Sequence, residues 1–521
     1  MSRREITKKL RAWEAERPIP RYDTLHHAIV SPDDALVVTF VRMAGESRPW
    51  GIAWGTAASG PRIVSVPDGR VRDDVSSLCA EFAEDLLDHL RVHNWTYDPA
   101  GQKEDTSRLR QVWLPNGAHI EMLHQLSYTY SQTKFGGANQ DILRALGRVA
   151  GWMFRETARK GSQHVVSASG ALNDAYVFPA QDVRTAHLGF QLAWLETVGD
   201  RTHRMAAAAD AETMTVSPTL DPDLDRRVLS DLVERWQLVR RDGGEASSTA
   251  ASIAAILEPE LVRRWELTRR AYSLLAANDR PVNPGVRWLI EESQAEFWGQ
   301  HQRIELRLND PSLGPAFVAH PETDFHGSAA ASRYLTYEAA DEAFVGRLIH
   351  SDPELFAEAV DAGDAVRGEV VRVTDLGTGR ATRPVWVLRL PPGVTHRLRE
   401  NVRLTPYGSS GHEVIVLDLD VTEDALDVTL EWTGLKTRPL SVGLGAKPDA
   451  SIWVGQQVAF VTSDAADLTR RRSSRVWSAA KGPGAWLTHG KFPTQIEILD
   501  DDGRSDLLVD DVRQIVAGEP A

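Results

Sequence analysis

The sequence predicts a multidomain α+β protein. It divides into a mixed N-terminal domain (1–130), a helical middle domain (131–310), a junction with a helix (311–361), a C-terminal small β-barrel (362–440) and an appendage (441–521). Three observations predict this. Short apolar runs bounded by turn residues fill the first region. Apolar residues then recur at intervals of three and four from about 138 to 300. After 362, five strand-length runs crowd into about seventy residues. A chain of 521 residues also exceeds a single hydrophobic core and suggests roughly two to four domains.

In the first region, "ALVVTFVRM" (35–43), "WGIAWG" (50–55) and "PRIVSV" (61–66) read as strands. A helix follows over 73–92, with Val75, Leu78, Phe82, Leu86 and Leu90 on one face. Cys79 falls at helical spacing with these residues and reads as core. Three strands followed by a helix resembles the opening of an RNase H-like nuclease fold. Such nucleases hold divalent metal on acidic residues of the first strand, and 35–43 contains none, so the resemblance implies an inert copy. The stretch 93–115 reads as a polar loop leading into a new element.

The middle region reads as an irregular helical bundle, since no fixed period recurs. Its apolar stripes are Ile142, Leu146, Val149 and Met153; Val228, Leu232, Trp236 and Val239; and Leu261, Trp265, Tyr272 and Leu275. Asp221-Pro222 and Glu258-Pro259 read as helix starts, because proline is accepted in a first turn and acids favour the positive end.

The barrel candidates are 366–374, 383–390, 400–405, 412–420 and 425–433. In the last, Leu426, Val428, Leu430 and Trp432 alternate with Asp427, Thr429 and Glu431. Five such strands match the size of an OB-like or SH3-like barrel. A further strand-like piece, 456–463, opens the appendage, which ends in an acidic tail.

Composition excludes several function classes. A net charge of −14 argues against affinity for nucleic acid or anionic membrane over the whole surface, but leaves room for a local basic patch. No apolar run approaches a membrane span, and the charged N-terminus lacks the apolar core of a signal peptide. One cysteine allows neither a disulfide framework nor a thiolate zinc cluster, so a cytoplasmic location is expected. No phosphate-cradling P-loop and no dinucleotide, zincin or nucleophile-elbow motif is present. The chain is therefore not expected to be an ATP-driven motor. The 16 tryptophans mostly report packing.

Two stretches carry chemistry. His320, Glu322, Asp324 and His326 alternate along "HPETDFHG", so in an extended chain all four project to one side. Imidazole and carboxylate ligands suit a divalent metal, although one loop is poorly preorganised, and a capped turn explains the same residues. In "TRRRSSRVWSAAKGPGAWLTHGK", Arg470, Arg471, Arg472, Arg475, Lys481 and Lys491 interleave with Trp477 and Trp486, with no acid between Asp467 and Glu497. Arginines grip phosphates bidentately and tryptophans stack on unpaired bases, which suits DNA or RNA. A solvated basic helix explains the same pattern. His26, His27, His119 and His124 lack partners at ligand spacing and read as packed or exposed histidines.

The function expected from sequence is non-catalytic nucleic-acid binding, as an accessory protein to a larger machine whose partner is a motor or nuclease, with no cofactor. One alternative is a metal-dependent hydrolase or nuclease using the 320–326 loop, with Asp33, Asp34 or Asp68 as a further ligand. The other is a protein-interaction scaffold built on the helical domain and the acidic tail.

Overall fold

After α1 (Arg3–Glu14), the chain enters a sheet whose central strand is β1, Ala35–Val41. All seven of its residues are buried, so it is covered on both faces. β2 (Gly51–Thr56) pairs antiparallel with β1, and β3 (Arg62–Ser65) pairs antiparallel with β2. α2 (Arg72–His89) then leads to β4 (Gln111–Leu114), which lies parallel to β1 on its other side. α3 (Gly117–Tyr130) and α4 (Gln140–Thr157) precede β5 (Val165–Ser167), parallel to β4. The order is β3-β2-β1-β4-β5.

The computed structural model describes residues 3–90, 109–158, 161, 163–290, 341, 344–375, 384–408, 413–421, 425–433, 454–461, 498–499 and 505–507. The chain forms two compact units: 1–321 with 341–466, and 322–340 with 467–521. Among the described residues, the second contributes a short antiparallel pair, Ile498–Leu499 with Ser505–Leu507. The elements described below belong to the first.

Alternation along β1 sorts its side chains between two cores. Leu36, Val38 and Phe40 pack with Val75, Leu78, Phe82 and Leu86 of α2 and with α3 and α4. Ala35, Val37 and Val41 face the opposite core. That core is supplied by α5 (Ala168–Ala175), α6 (Leu188–Glu196), α8 (Ser230–Arg241) and α9 (Ser247–Ala276), while α7 (Arg201–Glu212) packs on α6. Where α9 crosses β2, a Cβ on Gly51 would lie 2.8 Å from the Leu261 side chain, so any larger residue would have to push that methyl aside. The middle stretch is thus no separate bundle. It provides β5, joins α2 and α3 on one sheet face through α4, and covers the other face.

Two local expectations are corrected. Val228 is exposed, whereas Leu229, Val233 and Trp236 form the buried stripe. Residues 224–229 form a π-helical turn, and its wider winding shifts the apolar phase by one residue. Pro259 does not start a helix but lies inside the 30-residue α9. It forfeits one backbone hydrogen bond. Buried anchors on both sides, Ile253 and Leu257 before it and Leu261 and Trp265 after it, hold the two halves. Asp221 does start a helical segment, its carboxylate accepting from the backbone N–H groups of Asp223 and Leu224.

α10 (Pro353–Ala362) is capped by Asp352, which accepts from the Glu354 and Leu355 amides, and ends at Gly363 in the left-handed region. It feeds a closed antiparallel barrel. The staves are β6 (Ala365–Asp375), β7 (Pro384–Leu390), β8 (Arg403–Pro406), β9 (Glu413–Val421), β10 (Leu426–Thr433) and β11 (Gln457–Val461). Their order around the ring is β8-β9-β10-β7-β6-β11. The five expected strands are joined by a sixth, the strand-like piece that follows them in sequence. Leu426, Val428, Leu430 and Trp432 all point into the barrel core. Trp432 meets Trp386 edge-on at 4.8 Å and Phe460 at 6.1 Å.

α3 and α4 pack closely because α4 carries glycines one turn apart. A Cβ on Gly147 would sit 2.2 Å from the Ser131 backbone nitrogen, and one on Gly151 2.4 Å from Ser127 Oγ. Gly147→Ala is therefore expected to destabilise the protein by about 1–3 kcal/mol through overpacking. Gly117→Ala, where a Cβ meets nothing within 4 Å, should change stability little. Urea unfolding midpoints at constant m-value check this, and equal midpoints for both variants would contradict the close α3–α4 approach.

Candidate functional site

Ligands of open parallel sheets gather at the carboxyl ends of the strands. Here that end, beyond Val41 of β1, is closed by residues 215–220. The Arg42 amide donates to the Pro218 carbonyl at 2.8 Å, and the Arg42 carbonyl accepts from the Leu220 amide at 3.3 Å. His119, delivered by the first turn of α3, is fully buried beneath this segment. Its Nδ1 accepts from the Phe40 amide at 3.2 Å, and its Nε2 donates to the Val216 carbonyl at 3.0 Å. Those partners fix its tautomer.

α9 adds two arginines one after the other. Fully buried Arg264 donates through Nε to the Ser217 carbonyl at 2.8 Å and through Nη1 to Glu260 Oε2 at 2.6 Å. Arg263 donates to the Thr215 carbonyl at 2.6 Å and to the same Glu260 oxygen at 2.7 Å. Burial pulls the Arg264 guanidinium down to about 10, with Glu260 opposing. Burial raises the Glu260 carboxyl, but hydrogen bonding by Arg263 and the charge of Arg264 outweigh it and hold it low. The carboxyl end of the sheet thus holds two guanidinium groups, a neutral imidazole and the Glu260 carboxylate that both arginines occupy, with buried Asp225 taken up by the Ala44 amide at 2.8 Å. These donors do not fit a divalent cation. Among the described residues, no group of three or more His, Cys, Asp or Glu side chains could hold a metal ion.

The carboxylates considered from sequence lie elsewhere. Asp68 is buried and accepts from the Arg70 amide and guanidinium, each at 2.9 Å, and from Gln237 at 2.5 Å. Burial raises its carboxyl, yet these bonds lower it overall, which is the profile of a structural turn. Asp33 and Asp34 stand at the amino end of β1, where a cleft of about 720 Å³ opens. β1, the end of β2, the β2–β3 turn, the last turn of α2 and Arg110 line it. Asp85 accepts from Trp54 Nε1 at 2.7 Å and from Arg62 at 3.2 Å, and Arg62 also reaches Glu81 at 2.7 Å. Arg110 lies 3.6 Å from Asp34. Since both arginines face carboxylates, and Asp33 and Asp88 join the lining, the cleft favours hydroxyl and amine donors over phosphate. His89 beside it is pulled down to about 4 by burial and then by the Arg110 charge, so it is neutral near pH 7.

The metal candidates His320, Glu322, Asp324 and His326 lie outside the described residues, as do Arg470, Arg471, Arg472, Arg475, Trp477, Lys481, Trp486 and Lys491. Three described arginines of the barrel region have carboxylate partners. Arg389 meets Asp427 at 2.7 Å, Arg397 meets Asp364 at 2.7 Å, and Arg403 meets Glu413 at 2.6 Å. Sequence reading missed the cleft. The available signal was Asp85, Asp88 and His89, which fall three and four residues apart at the end of α2. Among the described residues no helix is long and apolar enough to cross a membrane. No family model matches the chain, and neither a curated protein nor a solved structure does.

Buried His119 has its pKa pulled down from 6.5 to about 3, chiefly by burial and then by the Arg264 charge. Between those values the unfolded chain binds a proton that the folded chain does not. Its contribution to stability is therefore full above 6.5 and lost as pH falls toward 3. Below pH 6.5 the loss approaches ~1.4 kcal/mol per pH unit for this one group. His119→Gln should make the stability slope between about pH 6 and pH 5 shallower by roughly that amount. An unchanged slope in urea titrations would show that His119 is not buried neutral.

Proposed function

We propose that this chain is a non-catalytic nucleic-acid-binding accessory protein whose N-terminal lobe is an RNase H-like fold without its metal site. The observation that carries the reading is the sheet. Its order β3-β2-β1-β4-β5, with three antiparallel strands followed by two parallel to the first, is the order and direction pattern of RNase H-like domains. At the end where such nucleases gather acids, the acids of this chain are already taken, Glu260 by Arg263 and Arg264 and Asp225 by the Ala44 amide, and buried His119 lies with them under a closed segment. A fold kept without its catalytic acids supports a binding role. The small closed barrel supports it further, as does the OB-like size of its first five strands. In this reading, contact with nucleic acid falls to Arg470, Arg471, Arg472, Arg475, Lys481 and Lys491, with Trp477 and Trp486 stacking on bases.

Anisotropy titrations of labelled single-stranded and duplex DNA and RNA with the full chain test the reading. Four arginine–phosphate contacts predict an affinity loss of about 10²-fold between 50 and 200 mM salt. Replacing Arg470, Arg471, Arg472 and Arg475 by Glu should abolish binding and leave no oligonucleotide cleavage with added Mg or Mn in either protein. Binding untouched by the four changes, or metal-dependent cleavage by the unaltered chain, would contradict it.

A further inference from the structure

The cleft at the amino end of β1 carries more negative charge than its own arginines neutralise. Arg62 is taken up by Glu81 at 2.7 Å and by Asp85 at 3.2 Å, and Arg110 stands 3.6 Å from Asp34. Asp33, just before β1, and Asp88, at the end of α2, line the same cleft. Both are exposed, and neither has a hydrogen bond or ion pair among the described residues. His89 adds no positive charge, because burial keeps its imidazole neutral near pH 7.

Two further features set the sign of what the cleft accepts. Its wall includes the carbonyl end of α2, an 18-residue helix, where the macrodipole is negative and favours a cation. Asp85 and Asp88 stand in the last two turns of that helix, the end at which acids cost stability. A cation held in the cleft relieves that cost. His89, which also lines the cleft, is 8% exposed, and its Nε2 has no hydrogen-bond partner. A buried polar atom in that position is satisfied by a ligand group or by a water that bridges to one.

Size and spacing select the occupant. A volume of about 720 Å³ suits a small organic molecule. Among the described residues no three His, Cys, Asp or Glu side chains could share a metal ion, so the acids of the cleft call for a cation that reaches from one to another. We propose that this cleft binds a linear polyamine, whose separate ammonium groups pair with Asp33 and Asp88 while its methylene chain spans the space between them. An ammonium group donates up to three hydrogen bonds, which matches walls that offer carboxylates and helix carbonyls. The site belongs to the N-terminal lobe, and it stands whether or not the chain binds nucleic acid.

Isothermal titration of the full chain with spermidine at about 150 mM salt tests the proposal. One spermidine should bind per chain, and n-butylamine, with its single ammonium group, roughly tenfold more weakly. Asp33→Asn combined with Asp88→Asn should weaken spermidine binding roughly tenfold. Both side chains are exposed, so the unfolding midpoint should not fall. Arg62→Gln, which releases Asp85, should tighten binding several-fold, a gain that damage to the fold would not produce. Several spermidine molecules per chain, bound as well after the two Asp changes as before, would show attraction by net charge alone and overturn the proposal. Equal binding of n-butylamine, tighter binding of Mg ions at the same carboxylates, or weaker spermidine binding by Arg62→Gln would overturn it as well.

Discussion

The lobe depends on β1 being covered on both faces at once. A strand in that position must be apolar along its whole length, because every side chain meets a core whichever way it points. Ala35–Val41 meets the demand, and its one polar side chain and one of its carbonyls are paired with α9. The Thr39 hydroxyl donates to the Leu261 carbonyl at 3.3 Å, and Trp265 Nε1 donates to the Val37 carbonyl at 3.1 Å. Those bonds lock α9 in place over the strand. Once α9 lies there, its arginines fall beside the carboxyl end of β1 and pin residues 215–220 over it. The requirement that makes β1 a good core strand and the absence of catalytic acids on it are thus one fact seen twice.

A second set of polar contacts fastens the lobe to the helix that precedes the barrel. Asp352 is fully buried, caps α10 and accepts from the Thr24 hydroxyl at 2.8 Å. Tyr22 donates to Glu358 at 3.1 Å and stacks on His26 at 4.7 Å. Burial, then the nearby Glu358 charge, pushes the Tyr22 phenol well above its ordinary range. Burial draws the His26 imidazole down to about 4, against the pull of Asp174 and Asp352. Neutral rings and shared carboxylates suit a contact buried between α1 and α10, where an unpaired charge would be costly.

Much of this was legible in the residues, for identifiable reasons. The run of β1, the stripe of α2 and the alternation of Leu426 to Trp432 each follow a single period, and each is buried as that period requires. What escaped reading lacked a period or depended on distant chain. β4 and β5 have four and three residues, too short to show alternation, and β5 is set among helices. The π-turn before Leu229 changes the phase without changing composition. The closed sheet end joins α3, α9 and residues 215–220, far apart in sequence, through bonds that no spacing announces. His119 reads from sequence as a packed or exposed histidine; the fold packs it and supplies its partners.

The closed sheet end is tested most directly by native-state hydrogen exchange at three amides. These are Phe40, bonded to His119, Arg42, bonded to Pro218, and Leu220, bonded to Arg42. If residues 215–220 are an integral cover, these amides exchange only through global unfolding, with the denaturant dependence of Val38 in the middle of β1. Fast, denaturant-independent exchange at Arg42 and Leu220, with Val38 still protected, would show that this end opens locally. That result would contradict the account of a permanently closed sheet end.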